Sequence, residues 1–494
     1  MLFSVGISDK ILRVIQDLFS SNRANVLIDG YLSREFTINK GVLQGSKLGP
    51  ILFVLFINEL LITLENSKLG ASIGSTHIAI LGFADDIMLV SDSPVNLRKL
   101  ISICVSWAED NKMKFNVDKC KILIFNKPSK RECPLFELYG KPLEIVTEYK
   151  YLGIIISTKN PSNIFTTHFS NILEKAAVRV STIRSYGFRE DGFRLETSIK
   201  LYKLLVRPIL EYCAQALCYA KYPLHSDRLH GSFVHKLEHF QTQTLKSLIN
   251  APKNSPPELV RLLCGVEPLA SRFDLLKLRY FWKLTKFSDR NFARDIFQYR
   301  KKYFLDCNKG FCHEVFTMCC KYDAAHIWHG LIPVDNPVSR ARINPLNRIK
   351  QIVSVKNLSN DLDKGRTRQC PFSKVYLVNP FNYQKKYHLV DVFKKLDAFH
   401  VRPAQGVFIR ALLHCGNFPK PCNFCGRDFS DLLDHKVFHC PATLRHRQKL
   451  TAYLDLYNFP ICLRPKSATD YINLSREHKL LRKCFTEFLQ DVSF

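Results

Sequence analysis

HIAILGFADDIMLVS, residues 77–91, sets two aspartates side by side between two apolar stretches. Both flanks are short and rich in Ile, Leu and Val, the composition of strands that are at least half buried. The stretch therefore reads as two strands joined at Asp85 and Asp86. Like charges in one tight turn repel, and a divalent cation reverses that repulsion by holding both carboxylates as anions. Magnesium suits such a site because it takes hard oxygen ligands and keeps positions open for water and phosphates. An ordinary hairpin turn, where Asp is common, is the stronger reading of the pair when it is taken alone.

Working outward, the chain to about residue 157 alternates helical and strand patterns. GISDKILRVIQDLFS (6–20) spaces apolar residues for a helix behind a Ser8 cap. RANVLIDGYLSREFTIN (23–39) reads as a hairpin turning at Asp29-Gly30. After the loop GVLQGSKLG (41–49), Pro50 opens a helix running to about Glu65. Ser93-Pro94 opens another, with Leu97, Leu100, Ile101, Cys104, Trp107 and Ala108 on one face. Strands follow at KCKILIFN (119–126) and EYKYLGIIIS (148–157). From about 160 to 250 the pattern is helical, and KLYKLLVRPILEYCAQALCYA (200–220) is its clearest piece. APKNSPP (251–257) reads as a boundary, helices resume to about 330, and the Pro/Arg/Asn-rich stretch 332–370 reads as loop or linker.

The 494 residues carry 72 Lys and Arg against 44 Asp and Glu, a net charge of +28. An excess of that size repels itself unless a polyanion is expected, and nucleic acid is the commonest one. Apolar content of 46% is enough for real cores and argues against global disorder. The 17 cysteines are an odd number, mostly scattered singly, behind a start that does not read as a secretory signal. These features point to a reducing intracellular compartment, nucleus or cytoplasm. The apolar run ILFVLFI (51–57) stops at Asn58-Glu59, too short to span a membrane, so no membrane partner is expected.

GVLQGSKLGPILFVLFINEL (41–60), the Asp-Asp turn, KMKFNVDKCKILIF (112–125) and YKYLGIII (149–156), in that order, resemble the reverse transcriptases of non-LTR retrotransposons, the long interspersed element type. The resemblance covers about 1–220 well and continues, more weakly, to the C-terminal cysteine/histidine cluster. It implies that Asp85 is a magnesium ligand and Asp86 its companion carboxylate, within the aromatic-Ala-Asp-Asp turn that starts at Phe83. It implies a template–nucleotide contact at Gln44, Gly45 and Phe83. Lys119 falls at a basic position where a cation would assist the leaving pyrophosphate. Tyr151, Leu152 and Gly153 match the primer-grip hairpin, and KLYKLLVRPILEY (200–212) matches the helical thumb, whose charges would contact duplex phosphates. The implied partners are an RNA template, a DNA primer or target, and deoxynucleotides.

The resemblance also exposes a departure. Two-metal nucleotidyl transfer uses carboxylates from two strands, and the family's first aspartate would lie before the helix with which this sequence opens. Asp9 and Asp17 belong to a helix and Asp29 to a turn, so none substitutes. The expectation is an N-terminally truncated polymerase, inactive alone, with an unpaired sheet edge. A non-catalytic nucleic-acid-binding remnant is the alternative.

PCNFCGRDFSDLLDHKVFHCP (421–441) spaces Cys422-x2-Cys425-x9-His435-x4-Cys440. Two residues between the paired cysteines let both thiolates reach one ion, giving a closed, structural CCHC zinc knuckle. His439 competes for the fourth position, and the family's spacing favours Cys440. Cys307, Cys312, His313, Cys319 and Cys320 have no regular ligand spacing. The expected fold is α+β: a partial polymerase palm of mixed sheet and helices (1–157), a helical thumb (158–250), a helical connector and linker (251–400) and the zinc-knuckle region (401–494).

Overall fold

The computed structural model describes residues 2–20, 22–38, 41–42, 45–126, 134–160, 163–187, 193, 195–217, 233–288, 291–303, 310–329, 345–367, 420–421, 428–429, 439, 443–456, 485 and 488–489. These gather into two units, Met1–Tyr149 with Asp289–Tyr299 and Lys150–Ser288 with Arg300–Phe494.

The first unit opens with α1 (Asp9–Ser20) and a stepped hairpin. In the hairpin β1 (Arg23–Ala24) pairs with β4 (Phe36–Thr37), and β2 (Leu27–Ile28) pairs with β3 (Tyr31–Leu32). Asp29 and Gly30 turn with positive φ of 48° and 84°, the two-residue geometry that Asp-Gly favours. α2 (Gly49–Asn66) follows, with Pro50 in its first turn. By length and a mean hydropathy of 1.4 it would pass for a membrane span, unlike the shorter run read from the sequence. Its Ile57, Leu60 and Leu64 are buried in this unit's core. Fully burying a leucine is worth about 1.5–3 kcal/mol, so this face fixes the helix.

β5 (Ala71–Ile73) and β6 (Thr76–Ile78) form a hairpin, and so do β7 (Ile80–Phe83) and β8 (Asp86–Leu89). α3 (Pro94–Asp110) buries Leu100, Ile101, Cys104 and Ala108, the face expected from its periodicity. After a short 3-10 turn, Val117–Lys119, comes β9 (Lys121–Leu123). A small hairpin that the sequence reading did not anticipate, β10 (Glu137–Leu138) and β11 (Lys141–Pro142), turns at Tyr139-Gly140. β12 (Glu144–Val146) lies parallel to β9, with Glu144 opposite Lys121 and a 2.6 Å ion pair between them. Two apolar clusters result, one under β7–β8 and one around Ile101, Ile122 and Phe136, and Leu89 and Phe115 touch both.

EYKYLGIIIS is a hairpin instead of one strand: β13 (Glu148–Tyr151) and β14 (Ile154–Ser157) pair across Leu152 and Gly153. Both turn residues have positive φ, 46° and 82°, which folds the strand back on itself.

The second unit is mostly helical: α4 (Thr166–Gly187), α5 (Leu195–Leu201), α6 (Arg207–Glu211), α7 (Phe233–Leu248), α8 (Pro257–Cys264) and α9 (Leu269–Leu284). α10 (Phe292–Lys302) has its residues to Tyr299 in the first unit; α11 (Phe311–Lys321), α12 (Ala325–Trp328), α13 (Pro345–Arg366) and α14 (Leu444–Leu456) belong to the second, with β15 (Lys420–Pro421) paired to β16 (Asp428–Phe429). Its main core joins Phe169, Tyr202, Leu245, Leu259, Leu262 and Phe273. Residues 251–257, read as a boundary, run between α7 and α8, and Leu248 and Leu259 on either side share that core.

Two further sequence expectations are corrected here. The helix expected across 200–220 is interrupted: Tyr202–Val206 is a wide π turn, α6 ends at Glu211, and Cys213 has φ 55°. Pro208 is the physical reason, because it lacks the N–H that would bond Leu204 and its ring crowds that carbonyl. Residues 332–370, expected as loop or linker, contain the 22-residue helix α13. α13 buries Ile349, Val353 and Leu358 but also Ser354, Asn357 and Asp361, so its inner face does not look apolar in the sequence.

Candidate active site

Alternation along a strand decides which residues of the Asp-Asp hairpin face outward. Pairing sets Ile80 opposite Leu89, Leu81 opposite Met88, Gly82 opposite Ile87 and Phe83 opposite Asp86. Successive side chains take opposite faces. Ile80, Ile87 and Leu89 pack into the core with α2. Leu81, Phe83, Asp86 and Met88 therefore share the outer face, where Phe83 is 64% exposed. Asp85 and Asp86 are both exposed.

Two backbone features hold the turn, and neither was read from the sequence. Ala84 has φ 53°, the left-handed region. It is the first of two turn residues, the position glycine takes in a II′ hairpin, and an L-residue there costs about 1–2 kcal/mol. Nothing in the sequence signals that strain. Gly82 stands against α2: a Cβ there would meet Leu61 Cδ2 at 3.1 Å. An isolated glycine inside a strand pattern is the available cue for such a close approach.

Among the described residues no group of three His, Cys, Asp or Glu is placed to hold a metal ion. Asp85 and Asp86 form a donor set of two exposed carboxylates. That set fits magnesium, which is commonly bound through one or two carboxylates plus phosphates and water. Asp9 and Asp17 lie on α1 and Asp29 in its turn.

Lys119 ends the 3-10 turn before β9 and is exposed. Asn116 caps that turn, its side chain accepting from the N–H of Asp118 at 3.0 Å and of Lys119 at 3.4 Å. The Tyr149 hydroxyl donates to the Lys119 carbonyl at 3.0 Å. The neighbouring Cys120 thiol is pushed up from its ordinary pKa by burial, against the opposing pull of Lys121. Gly45 is exposed with φ 85°, a conformation open to glycine without strain. Gln44 lies outside the described residues, as do Cys422, Cys425, His435 and Cys440 of the expected zinc knuckle. Cys312, His313 and Cys319 are buried on α11, and Cys320 is exposed.

The expected primer-grip residues Tyr151, Leu152 and Gly153 are half-buried at the β13–β14 turn. Tyr212, just past α6, holds that turn: its hydroxyl donates to the Leu152 carbonyl at 2.7 Å. Its ring lies so close that a Cβ on Gly153 would meet it at 3.1 Å. Sequence reading placed Tyr212 at the end of the thumb helix but carried no signal for this contact, which joins residues 60 apart.

Comparison with known proteins finds relatives along this stretch of the chain. The profile of the family "Reverse transcriptase (RNA-dependent DNA polymerase)" matches residues 2–156. The chain is 27% identical over 252 residues to an RNA-directed DNA polymerase from the mobile element jockey of Drosophila funebris, covering 50% of this chain and 26% of that protein. It is 29% identical over 185 residues to a retrovirus-related Pol polyprotein from the type-1 retrotransposable element R2 of Popillia japonica, covering 35% of this chain and 30% of the relative. With a retrovirus-related Pol polyprotein from the type-2 retrotransposable element R2DM of Drosophila melanogaster it shares 31% identity over 148 residues, 28% of this chain and 14% of the relative. The matches thus span about a third or less of these relatives' length. Residues 2–156 thus match the reverse transcriptase family, and the relatives they resemble are polymerases of non-LTR retrotransposons.

Proposed function

We propose that this chain serves RNA-directed DNA synthesis, with Asp85 and Asp86 supplying carboxylates to the metal site of a nucleotidyl transfer. The observation that carries the reading is the β7–β8 tip: two exposed aspartates and Phe83 presented from a hairpin anchored on α2, inside the segment matching the reverse transcriptase family. When bound there, magnesium would stabilise the charge that develops on the attacking and leaving oxygens. The protein's own part is to hold Asp85 and Asp86 at a fixed turn, to offer Phe83 and the Gln44–Gly45 loop to the template–nucleotide pair, and to bring Lys119 toward the leaving phosphates. Tyr151, Leu152 and Gly153 would steady the primer end through the turn that Tyr212 holds. RNA template, DNA primer and deoxynucleotides are the partners on this reading, and the cell interior, nucleus or cytoplasm, is the place. Cys422, Cys425, His435 and Cys440 form a donor set suited to one structural zinc ion.

The metal site is tested by substituting ferrous iron, with ascorbate, for magnesium in the presence of an RNA–DNA primer–template. Radicals generated at the bound metal are expected to cut the chain near residues 83–87, and Asp85→Ala to abolish the cut. A missing cut, or one that survives Asp85→Ala, refutes the assignment.

A further inference from the structure

β14 belongs to a two-stranded sheet, so one of its edges has no strand to bond. The Ile155 N–H, on β14, donates instead to Nδ1 of His168 at 3.3 Å. His168 stands in the first turn of α4 and is 2% exposed. Asn163 sets the start of that helix: its side chain accepts from the Phe165 N–H at 3.1 Å, and its carbonyl from the Thr166 hydroxyl at 2.8 Å. The Ser157 N–H donates to the Ile164 carbonyl at 2.9 Å. β14 is thus tied at two points to the head of α4, while Tyr212 holds the Leu152 carbonyl on the other side of Gly153.

The bond to Ile155 fixes the state of the ring. Only a ring nitrogen with a free lone pair can accept from a backbone N–H, so the imidazole is neutral and its proton sits on Nε2. Nε2 is buried with no hydrogen-bond partner among the described residues, so no carboxylate there bonds to it. Burial, and then the charge of Lys175, hold the His168 pKa below its ordinary 6.5. The positive end of the α4 dipole acts in the same sense. β14 presents Ile154, Ile155, Ile156 and Ser157, none of them charged. α6 brings Arg207 and Glu211, which lie 3.5 Å apart, and the first turn of α7 brings His235 and Lys236, both exposed. A protonated His168 would set one N–H against another and strand a charge in the core.

We infer that His168 is a positioning residue for the β13–β14 turn: its neutral imidazole fixes the backbone behind Gly153 so that Tyr151, Leu152 and Gly153 meet a primer end in one geometry. A displacement of about 1 Å at such a contact costs about 100-fold in rate. The inference rests on the proposed primer contact only for what the turn touches. Because the folded-state pKa lies below the unfolded one, the His168 contribution is fully present above pH 6.5 and is lost as pH falls through the lower value.

The test is amide hydrogen exchange at Ile155 in the full chain between about pH 8 and pH 5, corrected for the intrinsic pH dependence of exchange. Ile155 is expected to lose about 2- to 12-fold of its protection toward the acid end, the equivalent of one hydrogen bond. His168→Asn puts a non-titrating oxygen where Nδ1 accepts, and should keep the protection throughout. His168→Phe should lose it at every pH, and His235→Asn should leave the original profile unchanged. A flat profile in the unmodified chain, a pH dependence that survives His168→Asn, or one that vanishes with His235→Asn overturns the inference. A DNA primer ending in 4-thiothymidine, annealed to RNA, reads the contact itself by photocrosslinking to residues 151–153. Its yield should fall toward acid pH in the unmodified chain and stay level in His168→Asn. A yield indifferent to both pH and His168 overturns the positioning role. Exchange that follows His168 with no cross-link at any pH refutes the primer contact and leaves His168 as the anchor of the turn.

Discussion

Arg261 on α8 joins three helices through charge, and removing it gives the strongest test of how the helical unit is held together. Its Nε and Nη2 donate to the two carboxylate oxygens of Asp361 on α13 at 3.0 and 2.6 Å, and Nη1 donates to Glu238 on α7 at 3.3 Å. The other Glu238 oxygen accepts from the N–H groups of Leu269 at 2.6 Å and Ala270 at 3.3 Å, at the start of α9. The Arg261 and Asp361 side chains are only 11% and 6% exposed. Arg261→Met keeps the apolar stem and takes the cation away from the buried Asp361 and the half-buried Glu238. Breaking a buried pair from one side costs about 3–5 kcal/mol. Urea unfolding followed by fluorescence of Trp282 and Trp328, both buried in this unit, measures that loss.

The variant should also acquire a distinctive pH dependence. Burial already raises the Glu238 pKa, and Arg261 is the main force lowering it again. Without Arg261 the folded-state pKa lies further above the unfolded one. Stability is then greatest below the unfolded carboxyl pKa and falls as pH rises through the raised folded value. Arg261→Met is therefore expected to lose more stability at pH 8 than at pH 5. Arg261→Met with Asp361→Leu should recover part of the loss, since a matched apolar pair leaves fewer charges stranded. A cost below about 1 kcal/mol, or one independent of pH, would refute the reasoning.

Gly70→Ala should unfold the first unit or destabilise it by more than about 3 kcal/mol, because the new Cβ would lie 2.0 Å from the Ile78 carbonyl oxygen, which is backbone and does not yield; near-ultraviolet circular dichroism that stays native would contradict this. Tyr212→Phe removes the 2.7 Å bond to Leu152 and should cost about 0.5–1.5 kcal/mol, read as faster amide exchange at Gly153 and Ile154; unchanged exchange would show that the ring alone holds the turn. Burial, helped by Cys120, pushes the Cys104 thiol up to about 12 from an ordinary value of 9.0. Its contribution is fully present below pH 9 and declines as pH rises toward 12, so Cys104→Ala should flatten the alkaline part of the melting curve of the first unit; identical slopes in the two proteins would count against it.

Much of the candidate site was legible because it is local. Two apolar strands flanking Asp85-Asp86, the Asp29-Gly30 turn, the start of α2 at Pro50 and the buried face of α3 each follow from side-chain period and turn chemistry over a few residues. The ordered blocks around them located Lys119 and the 151–153 turn as well. What sequence could not supply was contact across distance. Ala84 takes a glycine-like conformation with no glycine to announce it, and Gly82 matters only because Leu61 is opposite.

The sequence by itself determined the α+β character of the chain, its strongly basic balance and the hairpin that presents Asp85 and Asp86. Tertiary structure alone decided that 345–366 is a packed helix, because its buried Ser354, Asn357 and Asp361 are satisfied by Glu267, Tyr322 and Arg261 from distant segments. It alone decided that Leu152 is held by Tyr212 and Ile155 by His168. A short-range pattern records which face of a helix or strand is apolar. A polar face is buried only when its partners arrive from elsewhere in the chain, and that is a property of the fold.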